Sequence, residues 1–340
     1  MQLSQRINAF VTLGQQLGKI AQQPQQYDDL FARIQGHNQW FDPKHITLAL
    51  LEWSKQLNHK ALKDWTQSLP QQPAQVKTIA LVLAGNIPLV GFHDILTALI
   101  SGHKIQCKLS SKDPVLTRYI VDQLLAIEPD FESFVQWTDG PLKNFDAVIA
   151  TGSNNSAMHF EHYFKNYPSI IRKNRTSVAV LTGQETEPQL QALTRDVFQY
   201  YGLGCRNVSK LYVPRGYDFQ PFFGAAFSYG AIMQHDKYMN NYDYNKAVYL
   251  MGQVPLLDNE FVLLKEDTAL VSPIAVVFYQ YYDNLNELKV HLSGLKEQIQ
   301  CIVGVQDDLC SVDFGQAQCP LLDDYADGVN TLEFLNTLKT

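Results

Sequence analysis

The stretch Thr78-Ile79-Ala80-Leu81-Val82-Leu83-Ala84-Gly85-Asn86-Ile87-Pro88 passes from a nearly unbroken apolar run into a polar turn. A short run of this kind, ended by Gly and Pro, predicts a strand buried on both faces, the form strands take in parallel sheets. Phe92, Ile95, Leu96, Leu99 and Ile100 then share one helical face, closed by Gly102. The alternation continues. Ile105 to Leu109 reads as strand, Pro114 to Ile127 as helix, Ser133 to Trp137 and Asp146 to Ala150 as strands, Asn154 to Phe164 as helix, and Ser177 to Leu181 as strand. Strands alternating with helices specify a doubly wound α/β lobe whose ligands sit beyond the carboxyl ends of the strands. Those ends carry Gly85-Asn86, Lys108-Leu109-Ser110-Ser111 and Thr151-Gly152-Ser153, each able to offer backbone N–H groups or a side chain to an anionic cofactor. No Gly-x-Gly-x-x-Gly occurs, so a dinucleotide must be held some other way.

Residues 1–75 lie before this lobe and are rich in glutamine and helix formers, with amphipathic spacing at Ile46, Leu48, Leu50, Leu51 and Trp53, which predicts a helical N-terminal layer. The lobe itself is assigned to 76–182. Beyond it, Glu187 to Tyr201 is an amphipathic run that Gly202 ends, and Lys210 to Pro214 reads as a strand. Residues 183–310 form a second lobe and 311–340 a C-terminal return segment. The interval Tyr217 to Tyr249 is crowded with aromatics, first read as a second core and alternatively as the lining of a tunnel for a long acyl chain.

The 340 residues, 46% hydrophobic and 18% charged, suffice for two packed lobes of a folded soluble protein. No apolar run approaches a membrane span and the start lacks a signal-peptide core, so a cytoplasmic location is expected. A net charge of -7 without a basic cluster argues against nucleic acid or an anionic membrane as partner. The five cysteines show no zinc spacing and suggest reduced thiols. His159 and His162 flank Glu161 on a predicted helix, but a solvated face is expected there and no metal.

Cys205 stands in Tyr200-Tyr201-Gly202-Leu203-Gly204-Cys205-Arg206-Asn207, between a helix end and a strand. Most free cysteines are buried and inert. A helix starting after Gly204, together with Arg206, would instead favour the thiolate and hold an oxyanion. Asn86 likewise has a structural reading as a helix N-cap before Pro88, Ser153 as the N-cap of the next helix, and Lys108 as a plain strand-end lysine.

Taken together, these segments resemble the aldehyde dehydrogenase superfamily and, within it, the acyl-CoA reductase branch that includes the long-chain fatty acyl-CoA reductase subunit of bacterial bioluminescence. The likeness runs from about Thr78 to Leu338. Ala84 to Pro88 is similar to an Asn-x-Pro turn, which implies that Asn86 helps stabilise an oxyanion. Cys107 to Pro114 resembles a Lys-Pro-Ser segment, which implies that Lys108 and Ser110 contact the adenine ribose or its phosphate. Ala150-Thr151-Gly152-Ser153 is similar to a Phe-Thr-Gly-Ser turn and implies pyrophosphate support from Gly152 and Ser153. Tyr201 to Asn207 resembles the nucleophile segment and implies a catalytic Cys205. Glu266, seven residues before Pro273, is implied to bind the nicotinamide ribose, and Asp313-Phe314-Gly315 resembles a late Pro-Phe-Gly turn.

One departure bears on the chemistry. Hydrolytic members carry Glu-Leu-Gly-Gly, with a water-activating glutamate, where this chain has Ile171-Arg172-Lys173-Asn174-Arg175. Isoleucine is no base, so an acyl-cysteine would persist for thiol exchange or hydride addition. The expectation is an α/β, aldehyde-dehydrogenase-like enzyme with two lobes that reduces long-chain fatty acyl-CoA to aldehyde through an acyl-cysteine. NADPH is the expected cofactor, with NADH as alternative. The competing readings are an acylating dehydrogenase for short-chain acyl-CoA or acyl phosphate, and a non-redox acyl carrier. The resemblance further implies an acyl-protein synthetase partner and allows a homo-oligomer.

Overall fold

The computed structural model describes residues 1–305 and 308–338, and the last two residues of the segment 311–340 lie outside them. The chain divides into two compact units, Met1–Asn174 with Leu321–Thr340, and Arg175–Pro320.

The first unit opens with four helices, α1 (Leu3–Gln22), α2 (Asp28–His37), α3 (Pro43–Gln56) and α4 (His59–Trp65). Asp42 and Asn58 cap α3 and α4 by accepting the His45 and Ala61 N–H groups. There follow β1 (Thr78–Val82), α5 (Phe92–Ile100), β2 (Lys104–Lys108), α6 (Leu116–Ile127), β3 (Val135–Trp137), β4 (Ala147–Thr151), α7 (Asn154–Tyr163) and β5 (Ser169–Arg172). The five strands form one sheet in the order β3-β2-β1-β4-β5, parallel throughout. This is the doubly wound order in which the crossover direction reverses between β1 and β4, leaving a crevice at their carboxyl ends. Helix α5 is buried on every residue except His93, and Phe10, Leu13 and Leu17 of α1 join Leu81, Ile95, Ile105, Ile120 and Ile149 in one core.

The second unit holds β6 (Thr176–Val180), α8 (Glu187–Phe198), β7 (Val208–Pro214), α9 (Gln220–Ala226), α10 (Asp236–Met251), β8 (Leu257–Asp258), β9 (Leu263–Glu266), β10 (Val276–Tyr282), α11 (Leu285–Gly294) and β11 (Ile299–Val303). Its sheet runs β11-β6-β7-β10-β9-β8, with only the two-residue β8 antiparallel. The chain then re-enters the first unit with α12 (Thr331–Asn336). There the buried Arg172 donates to both carboxylate oxygens of Asp94, at 2.7 and 2.6 Å, and to the Thr331 hydroxyl at 3.0 Å. That triad fastens β5, α5 and α12 together.

Three details differ from the sequence reading. Ser177 to Leu181 does form a strand, but it pairs in the second sheet, with β7 and β11. A buried parallel strand is apolar on both faces, so its pattern says nothing about which sheet receives it. The first sheet is instead completed by β5, whose Ile170-Ile171 pair is too short to show a period. Strand β3 begins only at Val135, because Pro129–Phe134 coils into a 3₁₀ helix.

Candidate active site

In the first unit the strand register gathers several of the singled-out residues at one edge. Lys108 pairs with Val82, Val82 with Ala150, and Thr151 with Arg172, so the turns after β1, β2 and β4 emerge side by side. Gly85 follows β1 and lies against Ser110, where a Cβ would come within 2.6 Å of the Ser110 Cβ and Oγ. Only glycine permits that approach. Gly152 is similarly crowded, since a Cβ would stand 2.8 Å from the Ser156 Cβ. Ser153 caps α7 by accepting the Ser156 N–H at 3.2 Å, so its structural role is present, and α7 opens directly beyond Gly152. Lys108 and Lys112 are both exposed.

Asn86 is half-buried and does not cap a helix, because α5 starts only at Phe92 after Gly91. The residue that holds its loop is Asp113, which the sequence reading did not single out. Asp113 is buried and accepts the Leu89 N–H at 3.0 Å, the Thr117 N–H at 3.3 Å and the Thr117 hydroxyl at 2.8 Å. Leu89 has a left-handed φ of 59°, a conformation costly for a branched side chain, so the Asp113 bond helps retain a strained turn. Burial pushes the Asp113 carboxyl up to about 6 despite those donors. The same loop is steadied from the N-terminal layer, where His37 Nε2 lies 2.8 Å from the Ser111 carbonyl and Asn38 donates to the Lys112 carbonyl at 3.0 Å.

Cys205 lies in the second unit, partly exposed, while Cys107, Cys301 and Cys310 are buried. Burial drives the Cys107 thiol far up, which leaves it an inert core residue. The helix before Cys205 stops at Phe198, four residues ahead of Gly202. Tyr200, Tyr201 and Gly202 then run left-handed, with φ of 52°, 58° and 75°. Asn207 holds this reversal: its Nδ2 donates to the carbonyls of Asp196, Val197 and Gln199 at 3.0, 3.2 and 2.8 Å, and its Oδ1 accepts the Gly204 N–H at 2.8 Å. No helix begins after Gly204. The residues close a turn, Asn207 N–H to the Gly204 carbonyl at 3.0 Å, and enter β7 directly, so a helix dipole does not act on the thiol. The Cys205 carbonyl accepts from the Ser177 hydroxyl at 3.1 Å.

Gly315, with φ of 79°, and Ala317 donate to Asp196 at 2.6 and 3.0 Å, and the Ala317 carbonyl accepts the Arg206 Nε–H at 2.5 Å. The structure thus brings the Asp313-Phe314-Gly315 turn to the Cys205 turn. It does not bring Glu266 there. Cys205 precedes the amino end of β7, whereas Glu266 is exposed at the carboxyl end of β9, in register with Tyr279 and through β10 with Leu211. Of the aromatics after Tyr217, Phe219, Phe222, Phe223, Tyr238 and Tyr242 are buried core, while Phe227 and Tyr244 are exposed.

Among the described residues no helix is long and apolar enough to cross a membrane, and no group of three or more His, Cys, Asp or Glu side chains is suited to a metal. His159 and His162 are exposed on α7.

Solved structures share this architecture at low sequence identity. Aldehyde dehydrogenase 21 from Physcomitrella patens is similar over 99% of this chain and 84% of its own, with a TM-score of 0.67 and 11% identity. An NADP-dependent glyceraldehyde-3-phosphate dehydrogenase from Bacillus halodurans, complexed with NADP, is similar over 91% and 75%, with a TM-score of 0.64 and 14% identity. An acetylating aldehyde dehydrogenase from Geobacillus thermoglucosidasius is similar over 91% and 77%, with a TM-score of 0.61 and 11% identity. These likenesses establish the aldehyde dehydrogenase fold. No curated protein matches the chain in sequence. The family model for the acyl-CoA reductase LuxC, however, matches residues 19–221, more than half of the 340. An aldehyde dehydrogenase fold that presents a half-exposed cysteine in a clamped turn is therefore joined to a specific sequence signature, and the chain belongs to the LuxC acyl-CoA reductase family.

Proposed function

We propose that this enzyme reduces long-chain fatty acyl-CoA to the aldehyde with NADPH, by way of a thioester on Cys205. The observation that carries the reading is the Cys205 turn itself. It is partly exposed, flanked by Arg206, and held by the buried Asn207 so that its main chain has one conformation to offer. In the reaction Cys205 Sγ, as thiolate, bonds to the thioester carbonyl carbon, the carbonyl π electrons move to oxygen, and collapse of that tetrahedral oxyanion expels CoA as its thiolate. The Cys205 backbone N–H and the Asn86 side chain are assigned as donors to the oxyanion. Ile171 offers no base to activate water, so the acyl-cysteine is spared hydrolysis.

A nicotinamide cofactor suits the first unit. Gly85 and Gly152, at the carboxyl ends of β1 and β4, carry no Cβ and so let the backbone turns pack close against Ser110 and Ser156, and α7 begins just past Gly152, which turns the first N–H groups of that helix toward the same strand ends. Gly152 and Ser153 are assigned to the pyrophosphate, and Lys108 and Ser110 to the ribose end. Bound there, the cofactor supplies the hydride that converts the acyl group to the oxidation level of an aldehyde. Cys205 then leaves the thiohemiacetal carbon with the C–S electron pair and is regenerated as the aldehyde departs. The exposed Lys108 and Lys112 favour the phosphorylated cofactor. An acyl-protein synthetase as acyl donor belongs to the same reading.

Intact-mass analysis after mixing with acyl-CoAs of graded length, alongside acyl-CoA-dependent NADPH oxidation, tests it. We expect one acyl adduct, formed fastest with long chains and lost in Cys205→Ser, with NADPH consumed in the same order. Fastest acylation by short acyl-CoA or by acyl phosphate would assign the enzyme to those substrates. An adduct without NADPH oxidation would make it a carrier, and an adduct retained in Cys205→Ser would remove the nucleophile.

A further inference from the structure

We propose that Asp196 is a positioning residue for the nucleophile: its buried carboxylate clamps the Gly315–Ala317 turn and the Cys205 turn into one rigid body, setting where the Cys205 sulfur and backbone N–H point. This inference rests on the reading of Cys205 as the acyl acceptor.

Asp196 is fully buried on α8, where an apolar side chain would be the cheaper occupant. Its two oxygens instead take the Gly315 and Ala317 N–H groups. A backbone turn without a fixed partner is thereby given two charge-assisted bonds. The turn lies flush on the same helix, since a Cβ on Gly315 would stand 3.0 Å from the Ala192 Cβ, one helical turn before Asp196. Two further connections run from Asp196 to the cysteine. Ala317, held by the carboxylate, accepts from Arg206, the residue after Cys205. The Asp196 carbonyl accepts from Asn207, whose Oδ1 in turn holds Gly204, the residue before Cys205. Both neighbours of the nucleophile are therefore tied to Asp196, each through one intermediate residue.

The charged or titratable groups facing the carboxylate are Arg195 on its own helix, Arg206 on the nucleophile turn and Tyr229 beyond α9. Burial pushes the acid up to about 6, so it is ionised at neutral pH and protonates in mild acid. Protonation removes one acceptor site from a carboxylate that uses both, and the clamp loosens.

The experiment measures acyl-enzyme formation by intact mass, as a function of acyl-CoA concentration and of pH, in the full-length enzyme and in Asp196→Asn and Asp196→Glu. Displacement of a nucleophile by about 1 Å costs about 100-fold. We expect Asp196→Asn to lower the limiting acylation rate by about 10- to 100-fold at pH 7.5 with half-saturating acyl-CoA and NADPH affinity nearly unchanged, and Asp196→Glu to recover part of the rate. The native enzyme should show an acylation limb near pH 6 that Asp196→Asn lacks. Native rates and an unaltered pH profile in Asp196→Asn overturn the proposal, as does a parallel loss of binding and rate. If the variants do not fold, a native profile flat around pH 6 overturns it. Failure of the native enzyme to be acylated at Cys205 would sink the underlying reading instead, before any variant is compared.

Discussion

Replacing Asn207 tests the local architecture of the Cys205 turn most directly. The side chain is 2% exposed and makes four contacts: two amide hydrogens shared among three helix-end carbonyls, and one oxygen taking the Gly204 N–H. Asn207→Ala deletes all of them. At roughly 1 kcal/mol for each hydrogen bond lost, with a further cost where a buried group is left unsatisfied, the second unit should lose about 3 to 5 kcal/mol. Asn207→Asp is the sharper perturbation, because it keeps the size and the acceptor for Gly204 but turns oxygen toward the carbonyls of Asp196, Val197 and Gln199. It should cost at least as much as alanine. All four tryptophans, at 40, 53, 65 and 137, belong to the first unit, so their fluorescence does not report on this change. Urea unfolding followed by hydrogen exchange of the 196–207 amides does. A stability of Asn207→Asp within about 1 kcal/mol of the native protein would refute the donor role and, with it, the account of why α8 stops at Phe198.

Two further outcomes concern the first unit. Asn86→Ala should slow acyl-enzyme formation by about 100-fold or more if Asn86 supplies one oxyanion donor, and equal burst rates would remove it from the scheme. Asp113 has a folded pKa raised to about 6 from 3.8, so its contribution to stability is fully present below the unfolded value and is lost as pH rises through 6. Asp113→Asn does not titrate, so its stability relative to the native protein should rise by up to about 3 kcal/mol between pH 4 and pH 7. Tryptophan-monitored urea midpoints measure this, and a pH-independent difference would contradict it.

Much of the first unit was legible in the residues because burial on both faces leaves long apolar runs at Thr78, Ile105 and Asp146, and glycine and proline mark their ends. The order of those runs was enough to place Lys108, Ser110, Gly152 and Ser153 at strand ends, and the short turn motifs around Asn86 and Cys205 were enough for the family. What the sequence determined by itself is thus local: element type, where each element ends, and which residue types stand at the ends. Tertiary structure decided everything that depends on partners far along the chain. The two buried carboxylates are examples, since Asp113 reaches back to Leu89 and Asp196 forward to Gly315 and Ala317. Nothing in the residues around either aspartate distinguishes it from a solvated one. The same holds for the assignment of Ser177 to Leu181 to the second sheet and for the early stop of α8. A strand's sheet and a helix's end are settled by competition for hydrogen bonds across the fold, and the winning partner, such as Asn207, becomes identifiable only once the chain has brought it there.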